Sequence, residues 1–144
     1  MPQLNHLFMR SAVVVIAGCA GRAPPSTTPE PSCAIGDTAM IRDVLYFGRN
    51  RPGGGAVTDE EWQSFLDQML TPRFPAGLTV VAATGQWKGK SGLVERERSQ
   101  VVTVFHSGGE AAKRAVMEVV VEYKRRFQQE AVLRERMPTC ARFE

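Results

Sequence analysis

Two segments with helical spacing, each opened by a polar turn, interrupt four runs rich in β-branched and aromatic residues. That alternation constrains the fold more than any other feature of the chain. Thr58-Asp59-Glu60-Glu61 is a capping box, in which the threonine hydroxyl takes an amide of the first turn and the glutamate reaches back. Trp62, Phe65, Leu66, Met69 and Leu70 follow at helical spacing, so a helix is expected over 59–70, ended by Pro72. Ser107-Gly108-Gly109-Glu110 repeats the capping-box arrangement. Beyond it Ala111, Ala115, Val116, Val119, Val120, Tyr123 and Phe127 make one apolar stripe, with Glu110/Arg114 and Glu122/Arg126 as ion pairs one turn apart on the wet side. The β runs are 39–48, 78–87, 93–106 and 131–136, with 140–143 extending the last or forming a further short strand.

The resulting order, β-α-β-β-α-β, is the ferredoxin-like α+β pattern: a four-stranded antiparallel sheet with two helices on one face. A sheet with one wet face alternates apolar and polar residues. This one does not: Leu78, Val80 and Ala82 oppose Val81, Ala83 and Trp87, and Val101 and Phe105 oppose Val102 and Val104. The second face is therefore expected to be covered at least in part, and a homodimer is the partner that would do it.

The first residues read as a targeting signal. One cation, Arg10, precedes the short apolar run SAVVVIAG, too short to span a bilayer but suited to a secretory signal. Ile16-Ala17-Gly18-Cys19 resembles the bacterial lipobox, in which the cysteine becomes the acylated N-terminus. Residues 1–18 are thus expected to be a lipoprotein signal peptide, 19–32 a Pro/Ser/Thr-rich tether and 33–144 a single domain. The tether cannot bury a core. No acidic residue follows Cys19 at Ala20 or Gly21, which by the same resemblance implies an outer-membrane anchor facing the periplasm. With Cys19 acylated, Cys33 and Cys140 remain, either as a disulfide favoured by an oxidising compartment or as two free thiols.

Formal net charge is +3, from interleaved rather than clustered residues, so no nucleic-acid partner is expected. The stretch YFGRNRPGGG ahead of the first helix has the ingredients of a phosphate loop but neither G-x-x-x-x-G-K-[ST] nor G-x-G-x-x-G. Asp59, Glu60 and Glu61 already occupy the favourable end of the helix dipole and would repel a phosphate. Arg49 and Arg51 are expected to neutralise those acids. Beyond the signal, His106 is the only histidine, so no metal site and no cofactor are expected; it reads as a surface or cap residue. Ser99 lies an odd number of residues from it, hence on the opposite face of a strand, and no catalytic residue is identified.

Glu95 and Glu97 share one strand face and Arg96 and Arg98 the other. Two carboxylates about 6.6 Å apart suffice for acid/base work. A turn near Lys90 and Ser91 would set Gln86 opposite Glu95 and Thr84 opposite Glu97, leaving Trp87, Arg96 and Arg98 on the other face. The plainer reading is an exposed hairpin tip with alternating charge.

The ordered motifs YFGRN, TPRFP, GQW and RERS, within Tyr46–Ser99, resemble the bacterial domain-of-unknown-function family 3574, whose members often begin with a lipoprotein or secretory signal. The motif positions are Tyr46, Gly48, Trp62, Arg73, Phe74, Pro75, Gln86, Trp87, Glu97, Arg98 and Ser99. The family brings no activity. It does suggest a pocket formed by Arg73, Gln86, Trp87, Glu97 and Arg98, against a structural alternative in which Arg73 pairs with Glu97 and Trp87 is core. The expected function is a lipid-anchored cell-envelope module binding a ligand or partner. The alternatives are a small-substrate enzyme of the dimeric α+β-barrel type with a carboxylate/arginine pocket, and a purely structural role with no pocket.

Overall fold

The computed structural model describes residues 32–88 and 92–144. The signal at 1–18, Cys19, all but the last residue of the tether and the hairpin positions 89–91 lie outside the described residues. The strands are β1 (Thr38–Gly48), β2 (Leu78–Lys88), β3 (Val94–His106) and β4 (Leu133–Ala141), and the helices α1 (Asp59–Phe65) and α2 (Glu110–Phe127). All neighbouring strands are antiparallel in the order β2-β3-β1-β4, so the ferredoxin-like α+β expectation holds. The fourth strand is one element, not two short ones. It runs straight through Pro138, which an edge strand tolerates because only one side of its ladder is paired.

Thr58 caps α1 as its sequence predicts: its Oγ1 accepts from the Glu61 amide at 3.2 Å and the Glu61 carboxylate accepts from the Thr58 amide at 2.9 Å. The helix then widens into a π-helical turn, Leu66–Leu70, before Thr71 and Pro72. Ser107 does not cap α2. That helix starts two residues later than a capping box would require, with Gly109 at the cap and no side-chain bond, which places Ala112 rather than Glu110 at the reciprocal position. Glu110 pairs with Lys113 at 2.5 Å instead of Arg114, while Glu122 takes both Arg125 at 2.6 Å and Arg126 at 3.4 Å. Lys124, Arg125 and Arg126 fill the last turn, where cations suit the helix dipole.

One face of the sheet carries the core. Leu45 and Phe47 of β1 and Val102 and Val104 of β3 pack against Trp62 and Phe65 of α1 and Val116, Val119, Tyr123 and Phe127 of α2. Phe47 and Tyr123 lie 4.7 Å apart between ring centroids, Tyr123 and Phe127 4.8 Å, and Phe65 and Tyr123 5.0 Å. Such pairs add about 0.5–1.5 kcal/mol each beyond area burial. Ala111, counted in the stripe, is exposed at the helix start. Cys33 and Cys140 are bonded, with Cα atoms 5.6 Å apart, tying the approach to β1 to the end of β4.

The opposite face has no helix. Val44 is closed off by its neighbours there, but Val81 (54% exposed), Phe105 (39%), Met137 (42%) and Leu133 (62%) are not. Nothing among the described residues covers this face, so the apolar residues on both sides of the strands do not mark a layer supplied by them.

Candidate functional site

The Gly-rich loop is closed by its own arginines. Arg49 is almost wholly buried; its Nε donates to the Val57 carbonyl at 2.9 Å, its Nη2 to the same oxygen, and its Nη1 pairs with Asp59 at 2.6 Å. Arg51 pairs with Glu61 at 2.7 Å and lies 5.6 Å over the Phe127 ring. Asp59 sits below the usual carboxylate range, chiefly through the hydrogen bond from Arg49, and Glu61 likewise, chiefly through the Thr58 amide. Gly53, Gly54 and Gly55 all have positive φ, which lets the chain reverse within a few residues. The arginines balance the acids, as expected, and the stretch is a loop rather than a phosphate cradle.

The hairpin register differs by one residue from the expected one. Trp87 pairs with Glu95, Gln86 with Arg96, Gly85 with Glu97 and Thr84 with Arg98. Lys88 faces Val94, so residues 89–93 make the connection, longer than the tight turn assumed at Lys90 and Ser91. A one-residue slip exchanges the faces of every side chain on the strand. Trp87 therefore joins Glu95 and Glu97 on the helix-free face, while Arg96 and Arg98 take the helix side.

This change breaks up the anticipated five-residue pocket. Arg98 turns to Asp59 at 3.3 Å, and Arg73 to Glu118 at 3.1 Å and the Met69 carbonyl at 3.1 Å, both on the helix side. The alternative Arg73–Glu97 bridge is not formed either, and Trp87, 45% exposed, is not core. Trp87 and Glu97 do share a cavity of about 610 Å³ at one end of the helix-free face; Gln86 borders it, although its position opposite Arg96 puts its side chain on the helix side.

Its construction follows from the sheet. On that face Glu97 is flanked by two positions without side chains: Gly85 opposite it on β2 and Gly48, paired with the next-but-one residue Ser99, on β1. Trp87 and Glu95 stand on one side, and Tyr46 and Leu133, a cross-strand pair, on the other. Asn50, Arg51 and Pro52 of the Gly-rich loop and Gln129, Glu130 and Ala131 after α2 border the opening. The Glu97 carboxylate lies over Gly48, where a Cβ would come within 2.6–2.8 Å of its carboxyl atoms. The Asn50 amide donates to Glu97 at 3.3 Å, and Gln129 holds the Asn50 carbonyl at 2.6 Å. The Tyr46 hydroxyl donates to Glu135 at 2.8 Å, a bond that raises the phenol above its ordinary range and keeps it protonated. The floor is backed from the core, where the Tyr123 hydroxyl donates to the Gly48 carbonyl at 2.8 Å.

Tyr46 and Gly48 stood in the resembling motifs, but their side of the cavity, and the roles of Gly85, Asn50 and Leu133, depend on cross-strand register. A second polar cluster also escaped the sequence. Asp43, with no exposure, is held by Arg134 at 2.8 and 2.9 Å and by His106 at 2.7 Å. His106 is thus a half-buried partner of Asp43, and it also accepts from the Gly108 amide at 3.0 Å ahead of α2, as a cap residue would. Among the described residues no group of three or more His, Cys, Asp or Glu side chains could hold a metal ion, and no helix is long and apolar enough to cross a membrane.

The fold is similar to that of a phage SAM lyase solved in complex with S-methyl-5'-thioadenosine, with 19% identity, a TM-score of 0.57, and coverage of 72% of this chain and 81% of that one. The apo state of a phage SAM lyase gives 19% identity and a TM-score of 0.51 over 82% of this chain and 98% of that one. CutA from Synechococcus elongatus is similar at 12% identity and a TM-score of 0.52 over 73% and 82%. Identities this low carry the fold alone. No curated protein matches the chain in sequence. The sequence pattern of the family described as "Protein of unknown function (DUF3574)" matches residues 42–143, from β1 to beyond β4, so the earlier resemblance is borne out and the chain belongs to that family.

Proposed function

We propose that this protein is a lipid-anchored envelope module that binds a small molecule in the cavity beside Glu97. The observation that carries this reading is the cavity itself: two strand glycines open the helix-free face around Glu97, with Trp87 and Glu95 at one end and Tyr46 at the other. A few placed polar groups in a concave apolar setting are the ordinary make-up of a ligand site. A purely structural role would have no need of it. Anchoring is supported by Ile16-Ala17-Gly18-Cys19 and the Pro-rich segment after it, and export by the Cys33–Cys140 bond. Mass spectrometry of the mature protein tests the anchor: an acylated Cys19 is expected, and an unmodified N-terminus refutes it. Metabolite extracts titrated into the soluble domain, read by NMR, should shift the Trp87 indole; an unresponsive indole refutes the binding role.

A second reading, a small-substrate enzyme, is favoured by the fold shared with a phage SAM lyase and by the carboxylate Glu97 held in a cavity. Incubation with SAM and chromatography for S-methyl-5'-thioadenosine decides it. Turnover that is lost in Glu97→Gln establishes the enzyme; intact SAM removes this substrate.

The uncovered side of the sheet, with Val81, Phe105 and Met137, supports a homodimer through that face. Sedimentation equilibrium should show a dimer that Phe105→Lys dissociates, and a monomeric wild type would refute it.

A further inference from the structure

Gly85 is the position in the cavity that the fold does not explain. It lies inside β2, where glycine weakens a strand by roughly 0.5–1 kcal/mol relative to alanine. Its backbone is not among the positive-φ glycines, so no special conformation requires it. A Cβ built on it meets no atom within 4 Å, so no neighbour excludes a side chain. Gly48, across Glu97, differs: there the Glu97 carboxylate already occupies the space. A strand glycine with neither a conformational nor a steric reason marks a place where something outside the chain comes close to the backbone.

The groups around Gly85 indicate the chemistry. Glu97 faces it directly and Glu95 stands beside Trp87 on the neighbouring pair. Among the described residues lining the cavity the cation is Arg51; its Nη2 pairs with Glu61 and it lies over the Phe127 ring, while its buried Nε has no hydrogen-bond partner. The aromatic face of Trp87 attracts a cation through its quadrupole and gives area to a flat apolar group. An anionic ligand would meet the carboxylates of Glu95 and Glu97, and the charge of Arg51 is already offset by Glu61.

Resting on the binding role proposed above, we infer that Gly85 seats a small organic cation, its positive centre toward Glu97 and Glu95 and its apolar part against Trp87.

The test uses benzyltrimethylammonium and, as an anion of similar size, phenylacetate, titrated into the disulfide-bonded domain and read by the Trp87 indole resonance. Saturable binding of the cation and none of the anion is expected. Gly85→Val should fill the seat and weaken the cation by at least about tenfold with no loss in Tm, and Glu97→Gln by a similar factor. Phenylacetate binding at least as tightly as the cation, with loss in Gly85→Val, would overturn the cationic class but leave the binding role standing. Binding unchanged in Gly85→Val would overturn the seat at Gly85. If neither probe moves Trp87 at millimolar concentration the inference fails, and the extract titration then decides the binding role separately.

Discussion

His106 Nε2 lies 2.7 Å from Asp43 Oδ2, joining the end of β3 to the middle of β1 beneath the helices. Because Nδ1 accepts the Gly108 amide at 3.0 Å, the proton belongs on Nε2 and points at Asp43. Arg134 of β4 donates to both Asp43 oxygens, at 2.8 and 2.9 Å, so three strands meet at one fully buried carboxylate. Replacing Asp43 by Asn keeps the shape but leaves Arg134 without its counter-charge. Breaking a buried pair from one side costs about 3–5 kcal/mol. Because Arg134 keeps 22% exposure and can turn to solvent, the lower end is expected. Urea unfolding of Asp43→Asn should show a loss of about 3 kcal/mol; a loss under about 1 kcal/mol would mean that the cluster is not structural.

The same carboxylate sets the acid limit of stability. Burial pushes Asp43 up, but the hydrogen bonds from Arg134 and His106 outweigh it and hold the group below its ordinary range. A carboxyl lowered on folding contributes stability above its unfolded pKa, near about 3.9, and loses it as pH falls through the folded value. Glu122, lowered to about 2 chiefly by the Arg125 hydrogen bond, acts in the same direction, though as a half-buried surface group it is still screened by solvent and salt. Tm should be flat from roughly pH 5 to 8 and fall below pH 4. In Asp43→Asn the acid fall should be shallower from a lower plateau; an unchanged slope would show that other carboxylates set it.

What could be read in the sequence, and what could not, follows the range of the interactions. The α1 cap, the helix stripes and the strand order rest on residues a few positions apart, and they stand where the sequence puts them. The faces of β2 depended on the length of one hairpin connection; a slip of one residue moved Trp87 to the side of Glu97 and parted Arg98 from it. Asp43 and His106 are 63 residues apart and Asp43 and Arg134 91, so nothing local marks them as partners. Arg73 belonged to a recognisable motif, yet its partner Glu118, on the far side of the second helix's wet face, is set only by how that helix docks.

The disulfide closes a separation of 107 residues, nearly the whole domain. In the chain-entropy account a loop of that size is worth up to about 4.7 kcal/mol, gained by restricting the unfolded chain. Reduction, or Cys33→Ala with Cys140→Ala, should lower the urea midpoint without changing native-state spectra. Equal midpoints with and without reductant would show that the bond constrains little beyond the ladder that already pairs Ala39 with Cys140.

The cavity floor offers a contrast between two neighbouring core contacts. Tyr123→Phe removes the bond to the Gly48 carbonyl from a ring that otherwise stays packed, and should cost about 1–3 kcal/mol for the acceptor left behind. Gly48→Ala keeps that bond but places a Cβ within 2.6–2.8 Å of the Glu97 carboxyl atoms. Since the clash is with the end of a flexible side chain, Glu97 should swing away from Asn50 at a cost of about 1 kcal/mol or less. NMR then separates the two variants: Tyr123→Phe should lose stability with the Asn50 amide shift nearly unchanged, and Gly48→Ala should move that amide with little loss of stability. If Gly48→Ala leaves the Asn50 amide where it was, Glu97 is not held over Gly48 in solution, and the carboxylate side of the cavity has to be redrawn.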